Sequence, residues 1–230
     1  MQTVIDAHNL VKIYDAATIP VYALNNVHLH IERGEFIALK GPSGSGKTTL
    51  LNMIGGLDKP NSGHVEINGV NITMMKENEL IDYRLHNIGF VFQAYNLIPV
   101  LTARENVEFI MLLQKIPAQE RDKRVSELLN QVGLADKADK RPSELSGGQQ
   151  QRIAVARALA PKPQFILADE PTANLDSVSA GNLLDIMSRL NKEEQMTFIF
   201  STHDQRVIDR ARRVITLEDG KLVADEKRDT

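Results

Sequence analysis

The chain has 230 residues, 42% hydrophobic and 25% charged, a balance that is ordinary for a soluble globular protein and sufficient for one large domain. Its 27 lysine and arginine residues against 30 aspartate and glutamate residues give a net charge of −3. The chain therefore has no basic excess that would indicate nucleic acid as its main partner. Cysteine is absent from the sequence, which excludes disulfides, thiolate metal sites and cysteine nucleophiles.

No segment of the sequence is suited to membrane insertion. Residues 1–15 carry charge where a signal peptide needs an apolar core. The densest apolar run, residues 109–113, is far shorter than the ~20 residues that span a bilayer. We therefore expect a cytoplasmic protein without direct membrane insertion, whose membrane role, if it has one, comes through a partner.

Alternation and turn signals predict strands in the first part of the chain. Residues 27–31 alternate between apolar and polar, as on a half-buried strand, and residues 66–70 contain an Asn-Gly pair typical of a hairpin. Residues 36–39 form an apolar run that stops before Gly41, and a helical pattern begins at Gly46. The predicted order is strand, glycine loop, helix.

The glycine loop follows the pattern G-x-x-x-x-G-K-[ST], known as Walker A, whose glycines let successive N–H groups converge on a phosphate. Lys47 adds a charge for the β- and γ-phosphates, Thr48 offers a hydroxyl to Mg²⁺, and Thr49 is placed to reach the α-phosphate. The alternative is a flexible turn before a helix, which the flanking strand and helix disfavour. Kinases, GTPases, helicases and transporters share the pattern, so it predicts ATP or another nucleotide without fixing the function. The loop comprises Gly41, Pro42, Ser43, Gly44, Ser45, Gly46, Lys47 and Thr48.

Two single residues are weaker candidates for the same site. Tyr14 either stacks on adenine or packs on the sheet, and the sequence leaves both open. Gln93 follows the apolar strand pattern of residues 88–92. An amide at a strand end can bind Mg²⁺ or the attacking water, which makes Gln93 a candidate for both roles.

From about Gln93 to Leu159 the periodicity becomes helical. Residues 107–114 and 125–132 each place apolar residues on one helical stripe. Residues 146–148 are Ser-Gly-Gly and directly precede the last helical pattern. Such a helix start leaves backbone N–H groups free to bind an anion. The sequence therefore carries a second candidate phosphate site, well downstream of the first.

Strand patterns return at residues 165–168, 198–200 and 214–217, with a helical pattern at 177–190 between the first two. Alternating strands and helices imply a mostly parallel sheet.

Polar residues follow two of these strands. Asp169 stands at the end of the first strand pattern. A carboxylate at the end of a strand beside a phosphate loop is known as the Walker B arrangement, in which the acid holds Mg²⁺ through water. Glu170 is then placed to orient or deprotonate the attacking water, although two exposed acids at a loop start are the alternative. His203 follows the second strand and is a candidate γ-phosphate sensor, while a strand-end histidine by itself is more often structural.

These motifs, in this order, resemble those of the ATP-binding cassette (ABC) family. Residues 145–149 read LSGGQ, the signature of that family, and stand between Walker A and Walker B. The resemblance implies an α/β fold with a P-loop NTPase core of ABC type, an antiparallel β subdomain and a helical insertion. It implies a single domain over residues 1–230, with the ATP-binding core at 1–93 and 160–230 and a helical subdomain at about 94–159.

The resemblance also implies a homodimer on ATP binding. In the family, the signature loop contacts the γ-phosphate of the nucleotide that a second cassette binds. Residues 173–176 look like the D-loop of the family, which crosses the dimer interface; Asp176 is retained and Asn174 departs from the usual alanine. The signature residues expected to contact the partner's nucleotide are Ser146, Gly147, Gly148 and Gln149.

Residues 55–58, 60–63, 92–99 and 101–107 resemble one branch of the family, the ATPase subunits of lipoprotein-releasing, macrolide-export and cell-division complexes. That resemblance implies hydrolysis of ATP with Mg²⁺ by a subunit held on the cytoplasmic face of the plasma membrane through an integral membrane permease. A regulatory ATPase that signals through a membrane partner without transport is the alternative. We expect the permease to dock on residues 93 to about 107 and the start of the helical insertion, since residues 95–101 are rich in apolar side chains for a loop. The alternative is that these residues fold back onto the helices of the insertion as core.

Overall fold

Two β-sheets organise the chain, whose computed structural model describes residues 2–16 and 19–228. One sheet is antiparallel and has the strand order β2-β1-β4-β5, and the other has the order β10-β9-β3-β8-β7-β6. The strands are β1 (Thr3–Ala16), β2 (Ile19–Glu32), β3 (Phe36–Lys40), β4 (Ser62–Ile67), β5 (Val70–Asn71), β6 (Ile88–Val91), β7 (Phe165–Asp169), β8 (Thr197–Ser201), β9 (Arg213–Glu218) and β10 (Lys221–Lys227).

Helices connect the strands of the second sheet, and several begin at side-chain caps. The side chains of Thr102 and Ser146 each accept a hydrogen bond from the backbone N–H three residues later, in Glu105 and Gln149. The side chains of Glu105 and Gln149 in turn accept from the backbone N–H of Thr102 and Ser146, so these reciprocal bonds satisfy N–H groups that a helix start leaves without partners. The helices are α1 (Lys47–Ile54), α2 (Glu77–Asn87), α3 (Ala103–Leu113), α4 (Ala118–Gln131), α5 (Gly147–Leu159), α6 (Ser177–Glu194) and α7 (Gln205–Arg210), with 3₁₀ turns at Ile72–Met74, Ala135–Lys137 and Pro142–Glu144.

The second sheet is parallel except at one edge. β9, β3, β8, β7 and β6 pair in parallel, whereas β10 pairs antiparallel with β9. Parallel strands end at the same edge of a sheet, so the segments that follow β3, β6, β7 and β8 lie together there. These segments contain the glycine loop at 41–46, Gln93, Glu170 and Thr202–His203.

The core has two parts, one on each face of this sheet. Along β3, Phe36 and Ala38 pack with residues of α3 to α7, whereas Ile37 and Leu39 pack with α1 and the antiparallel sheet. Successive side chains of a strand point to opposite faces, and both faces of β3 are covered. This explains why β3, β7 and β8 are near-continuous apolar runs rather than alternating ones.

Several predicted elements are confirmed. β2 contains the alternating residues 27–31, and the Asn-Gly pair forms the β4–β5 turn, with φ of 49° at Asn68 and 76° at Gly69. The predicted α/β architecture with an antiparallel sheet is the one observed. Helix α2 and strand β10 were not predicted, because α2 is largely polar and β10 alternates at a mostly exposed edge.

The helical prediction from Gln93 onward is wrong for its first part. Residues 92–102 are irregular and α3 begins only at Ala103. The backbone of Tyr95 and Asn96 is left-handed, with φ of 58° and 51°, which no α-helix accommodates. Among the helices in the described ranges, none combines the length and apolarity that a membrane crossing requires.

Arg213 on β9 ties the two sheets together. It is 7% exposed, donates to the backbone carbonyl of His30 on β2 at 2.8 Å, and pairs with Glu35 and with Asp225 of β10. Hydrogen bonds from Arg213 lower the pKa of the Asp225 carboxyl below its ordinary value. The guanidinium thus satisfies groups from both sheets at once.

Replacing Arg213 by methionine should lower the free energy of unfolding by about 3 kcal/mol, because the variant leaves the carboxylate of Glu35 partly buried without a partner. Urea unfolding followed by circular dichroism measures this difference. Lys140→Met is the control, since Lys140 pairs with Glu144 at the surface and its loss should change the midpoint little. Equal effects of the two substitutions would contradict the role of Arg213.

Candidate nucleotide-binding site

The glycine loop between β3 and α1 is pressed against two strands. At Gly41 a Cβ atom would overlap the backbone oxygen of Leu217 on β9, and at Gly46 it would overlap that of Ala23 on β2. Gly46 also has a φ of 102°, which favours glycine, and it is the residue before the first turn of α1. Loop residues 41–46 are therefore wedged between the two sheets, with the N-terminus of α1 directly behind them.

Lys47 is almost buried and turns back on this loop. Its Nζ donates to the backbone oxygens of Gly41 at 2.8 Å and Pro42 at 2.9 Å. The amine thus lies inside the loop curve that the N–H groups of α1 also face. A cation bonded to neutral carbonyls in this position is available to a phosphate that enters the loop.

A cavity of about 750 Å³ opens over the loop. Tyr14 reaches it from the antiparallel sheet, where it pairs across strands with Val21, and its hydroxyl donates to Asp58 at 3.1 Å. Ser45 does not line the cavity: its side chain is buried, and within the described residues its hydroxyl has no hydrogen-bond partner. The lining residues are Tyr14, Val21, Ala23, Gly41, Pro42, Ser43, Gly44, Gly46, Lys47, Thr48, Thr49, Gln93, Glu170, Ala173, Ser201 and His203.

Thr48 and Asp169 meet beside this cavity. The Thr48 hydroxyl lies 3.2 Å from each carboxylate oxygen of Asp169, although 121 residues separate the two in sequence. Hydroxyl and carboxylate oxygens are the ligand types that suit Mg²⁺. Gln93, the third predicted metal ligand, lines the same cavity with an exposed side chain.

Glu170 is held in place by the end of β8. Its N–H donates to the Ser201 oxygen at 2.9 Å, and its backbone is left-handed with a φ of 46°, a conformation that costs a residue of this type about 1–3 kcal/mol. One carboxylate oxygen lies 2.7 Å from Nδ1 of His203, and the Thr202 hydroxyl is 3.5 Å from the other. Because a carboxylate only accepts, the proton of a neutral His203 is on Nδ1 when Glu170 is ionised, which leaves Nε2 as an acceptor.

The Glu170 and His203 side chains differ sharply in exposure. The carboxylate is 17% exposed and the imidazole 75% exposed. The pair therefore combines a fixed, largely enclosed carboxylate with an imidazole that an incoming ligand can reach. Such a carboxylate can orient a water molecule and accept its proton.

The signature residues and Asp176 do not line this cavity. Ser146 is exposed and its Oγ accepts from the N–H of Gln149 at 3.3 Å, so it caps the start of α5. A Cβ at Gly147 would lie 2.7 Å from the hydroxyl of Tyr95, and one at Gly148 would lie 2.8 Å from Ser179. These glycines allow α5 to start close against two neighbouring segments of its own chain.

Asp176 caps α6 by accepting from the N–H groups of Val178 and Ser179. It also accepts from the Ser179 hydroxyl at 2.6 Å, and these bonds lower the pKa of its carboxyl below the ordinary value. Asp176 thus has a local role in addition to the one the family resemblance implies.

Cavity residues that the sequence interpretation missed are mostly small or apolar. Val21, Ala23 and Ala173 carry no chemical signal. Pairing of β1 with β2 places Val21 opposite Tyr14, and the turn after Glu170 brings Ala173 to the lining. Ser201 could have been found, since it follows an apolar strand in the same way as Asp169.

Comparison with known protein families gives a match at residues 24–173 to the family model described as "ABC transporter". The chain belongs to the ABC transporter family. An uncharacterized ABC transporter ATP-binding protein of Thermotoga maritima is 45% identical over 228 residues, which cover 99% of this chain and 97% of the relative. The lipoprotein-releasing system ATP-binding protein LolD of Legionella pneumophila is 42% identical over 97% of this chain and 98% of its own length.

A solved structure supports the same assignment. The ATP-binding cassette MJ0796, described as a dimeric post-hydrolysis state bound to ADP and Pi, is 43% identical to this chain and superposes with a TM-score of 0.90. The comparison covers 98% of this chain and 99% of the cassette. The predicted ABC-type fold is therefore confirmed, and the chain is an ABC transporter ATP-binding subunit related to LolD.

In this ABC family member, Asp204 braces the segments that carry Glu170 and His203. Its carboxylate accepts from the Thr172 hydroxyl at 2.7 Å, from the N–H of Arg206 at the start of α7, and from the Arg206 guanidinium. The Arg206 side chain contributes most to lowering the pKa of Asp204 to about 2. The carboxylate is therefore ionised in the folded protein down to strongly acidic pH.

The charge of Asp204 should stabilise the fold above about pH 4 and lose this effect as the pH falls toward 2, because the folded-state pKa lies below the ordinary value of 3.8. We expect Asp204→Asn to lower the free energy of unfolding by about 1 kcal/mol at pH 7. Urea unfolding at pH 7, 4 and 2.5 should show this difference shrinking with pH. Asp209→Asn, an exposed change on the same helix, serves as the control, and a pH-independent difference for Asp204 would contradict the assignment.

Proposed function

We propose that this subunit binds ATP with Mg²⁺, hydrolyses it to ADP and phosphate, and drives a separate membrane permease as a homodimer. The observation that carries the proposal is the meeting of four strand-end segments at one cavity, which combines a phosphate loop, a hydroxyl–carboxylate pair and a braced carboxylate. Fold similarity to a cassette described with ADP and Pi supports the nucleotide.

The triphosphate lies, in this proposal, along the glycine loop. The N–H groups at the start of α1 and the Nζ of Lys47 bind its oxygens, and Nζ exchanges its present carbonyl partners for phosphate. Tyr14 lies on the antiparallel sheet and lines the same cavity, and it is 43% exposed, so part of its ring is accessible for stacking on the base.

Thr48, Asp169 and Gln93 would hold the Mg²⁺ ion. The Thr48 hydroxyl and both Asp169 oxygens already face each other at 3.2 Å, and Gln93 adds an amide oxygen at the same cavity. When bound, the ion neutralises charge that develops on the β- and γ-phosphate oxygens. Glu170 orients the attacking water and takes its proton, while His203 holds the carboxylate through Nδ1.

The exposed signature loop supports a head-to-tail dimer. Ser146 is exposed, and residues 146–149 start α5 outside the cavity lining of their own chain. The first N–H groups of a helix have no partner within it. A second copy can bring its own signature loop over this cavity and supply a positive helix end to the γ-phosphate. The dimeric description of the MJ0796 cassette agrees with this arrangement.

An apolar groove of about 660 Å³ is the proposed permease site. It lies between α2, β6 and α3 and includes Ile81, Ile98 and Leu113, of which Ile81 and Leu113 are about half exposed. The sequence-predicted face at 93–107 shares only part of this groove, because Leu97 packs on the core and Tyr95 packs on Gly147. In this proposal, residues 94–159 form the helical subdomain and residues 1–93 and 160–230 the ATP-binding core.

Docking through this groove would place the subunit on the cytoplasmic face of the plasma membrane. The similarity to lipoprotein-releasing system proteins supports export or extraction as the transport task, with a lipoprotein as the substrate that this similarity favours among lipoprotein, lipid, peptide and drug.

Glu170→Gln should keep ATP affinity and reduce turnover by about 100-fold or more, because an amide retains the shape but takes no proton. The variant should then collect as a dimer when ATP and Mg²⁺ are added, as measured by gel filtration with light scattering. ADP in place of ATP is the matched control and should leave it monomeric. Undiminished hydrolysis would exclude Glu170 as the base, and a monomer under saturating ATP would exclude the dimer model.

Leu113→Asp should abolish co-purification with the cognate permease, because it places a charge on the apolar groove. Val100→Asp is the matched control: Val100 is 70% exposed and belongs to the apolar loop at residues 95–101, but it does not line the groove. ATP affinity verifies that both variants fold. If Val100→Asp prevents binding and Leu113→Asp does not, the permease docks on the loop instead.

A further inference from the structure

Asn174, the departure from the usual D-loop sequence, forms a side-chain bond to the segment that carries Gln93. Its Nδ2 donates to the backbone oxygen of Gln93 at 3.0 Å, across 81 positions of sequence. The hydroxyl of Tyr95 also approaches the backbone oxygen of Asn174, at 3.5 Å. Alanine at position 174 would keep the second contact and lose the first.

The bond joins two sides of the nucleotide cavity. Asn174 follows a turn closed by a hydrogen bond from the N–H of Ala173 to the oxygen of Glu170 at 3.1 Å. Glu170 and Ala173 line the cavity, and so does Gln93, whose backbone oxygen accepts this bond. The Asn174 amide therefore sets the separation of the Gln93 backbone from the turn that carries Glu170.

Other contacts hold the neighbours of Gln93 but not Gln93 itself. From α5, Gln151 donates to the Phe92 oxygen at 3.3 Å and Arg157 donates to the Tyr95 oxygen at 2.8 Å. The side chain of Gln93 is exposed. Within the described residues, the Asn174 amide is the side-chain donor bonded to the Gln93 oxygen.

We propose that Asn174 is a positioning residue that fixes Gln93 relative to Glu170 and thereby orients the Gln93 amide toward the bound nucleotide and its ion. This inference rests on the proposed ATPase function. Asn174 touches neither nucleotide nor water in this mechanism. It acts through the backbone of Gln93, and its loss allows the Gln93 amide to leave the orientation that turnover requires.

The first test is Asn174→Ala in the nucleotide-free protein, followed by hydrogen–deuterium exchange. Amides of residues 94–96 should exchange several-fold faster, whereas those of α3 should be unchanged. Asn174→Asp, which keeps the shape but replaces the donor by an acceptor, should behave in the same way. Asn130→Ala is the control, since Asn130 is exposed and donates only within α4. Unchanged exchange at 94–96 in Asn174→Ala would overturn the proposal.

The second test is steady-state ATP hydrolysis. Asn174→Ala should lower kcat about two- to tenfold, the range for one lost neutral hydrogen bond, and leave KM for ATP within about twofold. In a Gln93→Ala background the same substitution should cause no further loss, because the side chain it positions is gone. The positioning role would be overturned if Asn174→Ala lowered kcat by the full factor in the Gln93→Ala background, as damage to a dimer interface would. A raised KM for ATP with an unchanged kcat would also overturn it.

The two tests separate this inference from the proposed function. Absence of ATP hydrolysis by the unmodified subunit would refute the function, whereas exchange at 94–96 reports the Asn174 bond without any nucleotide. Hydrolysis by the unmodified subunit together with a neutral Asn174→Ala variant refutes only the positioning role.

Discussion

The parallel pairing of β3, β8, β7 and β6 is the constraint on which the candidate site depends. In this register Leu39 and Asp169 are both partners of Ser201, so three strand ends lie at one level of the sheet. Residues that are far apart in sequence, such as Thr48 and Asp169, thereby come within hydrogen-bonding distance. The apolar residues of these strands serve the site indirectly, because burial on both faces fixes the register that aligns their polar ends.

Several residues with unusual backbone geometry lie around this edge of the sheet. Glu170, Tyr95 and Asn96 have left-handed backbones, and Gly41 and Gly46 have positive φ in the phosphate loop. Each strained residue is held by neighbours: Ser201 accepts from the Glu170 N–H, and Arg157 donates to the backbone oxygens of Tyr95 and Asn96. Such strain persists only where surrounding contacts determine the conformation, and of these residues Glu170 brings a carboxylate to the cavity.

The surfaces beyond the cavity divide by chemical character. The start of α5 offers polar N–H groups and a hydroxyl beside glycines, which suits an anion, while the groove beside α2 and α3 is apolar, which suits a protein helix or loop. The loop at 93–98 connects them, since Ile98 lines the groove and Tyr95 packs against Gly147. In the proposed complex, permease binding and nucleotide binding would therefore act on the same short segment.

The sequence by itself determined the strands and helices around the site and the residue types of the site. The G-x-x-x-x-G-K-[ST] pattern, the apolar run before Asp169 and the Ser-Gly-Gly helix start each record a local requirement for phosphate, metal or a helix cap, so adjacent residues suffice to recognise them. Only the tertiary structure decided that His203 contacts Glu170, that Val21 accompanies Tyr14 in the lining, that the apolar groove includes the mostly polar α2, and that Asn174 reaches Gln93. Periodicity reports which face of an element is buried, whereas these contacts depend on which distant elements pack together and in what register.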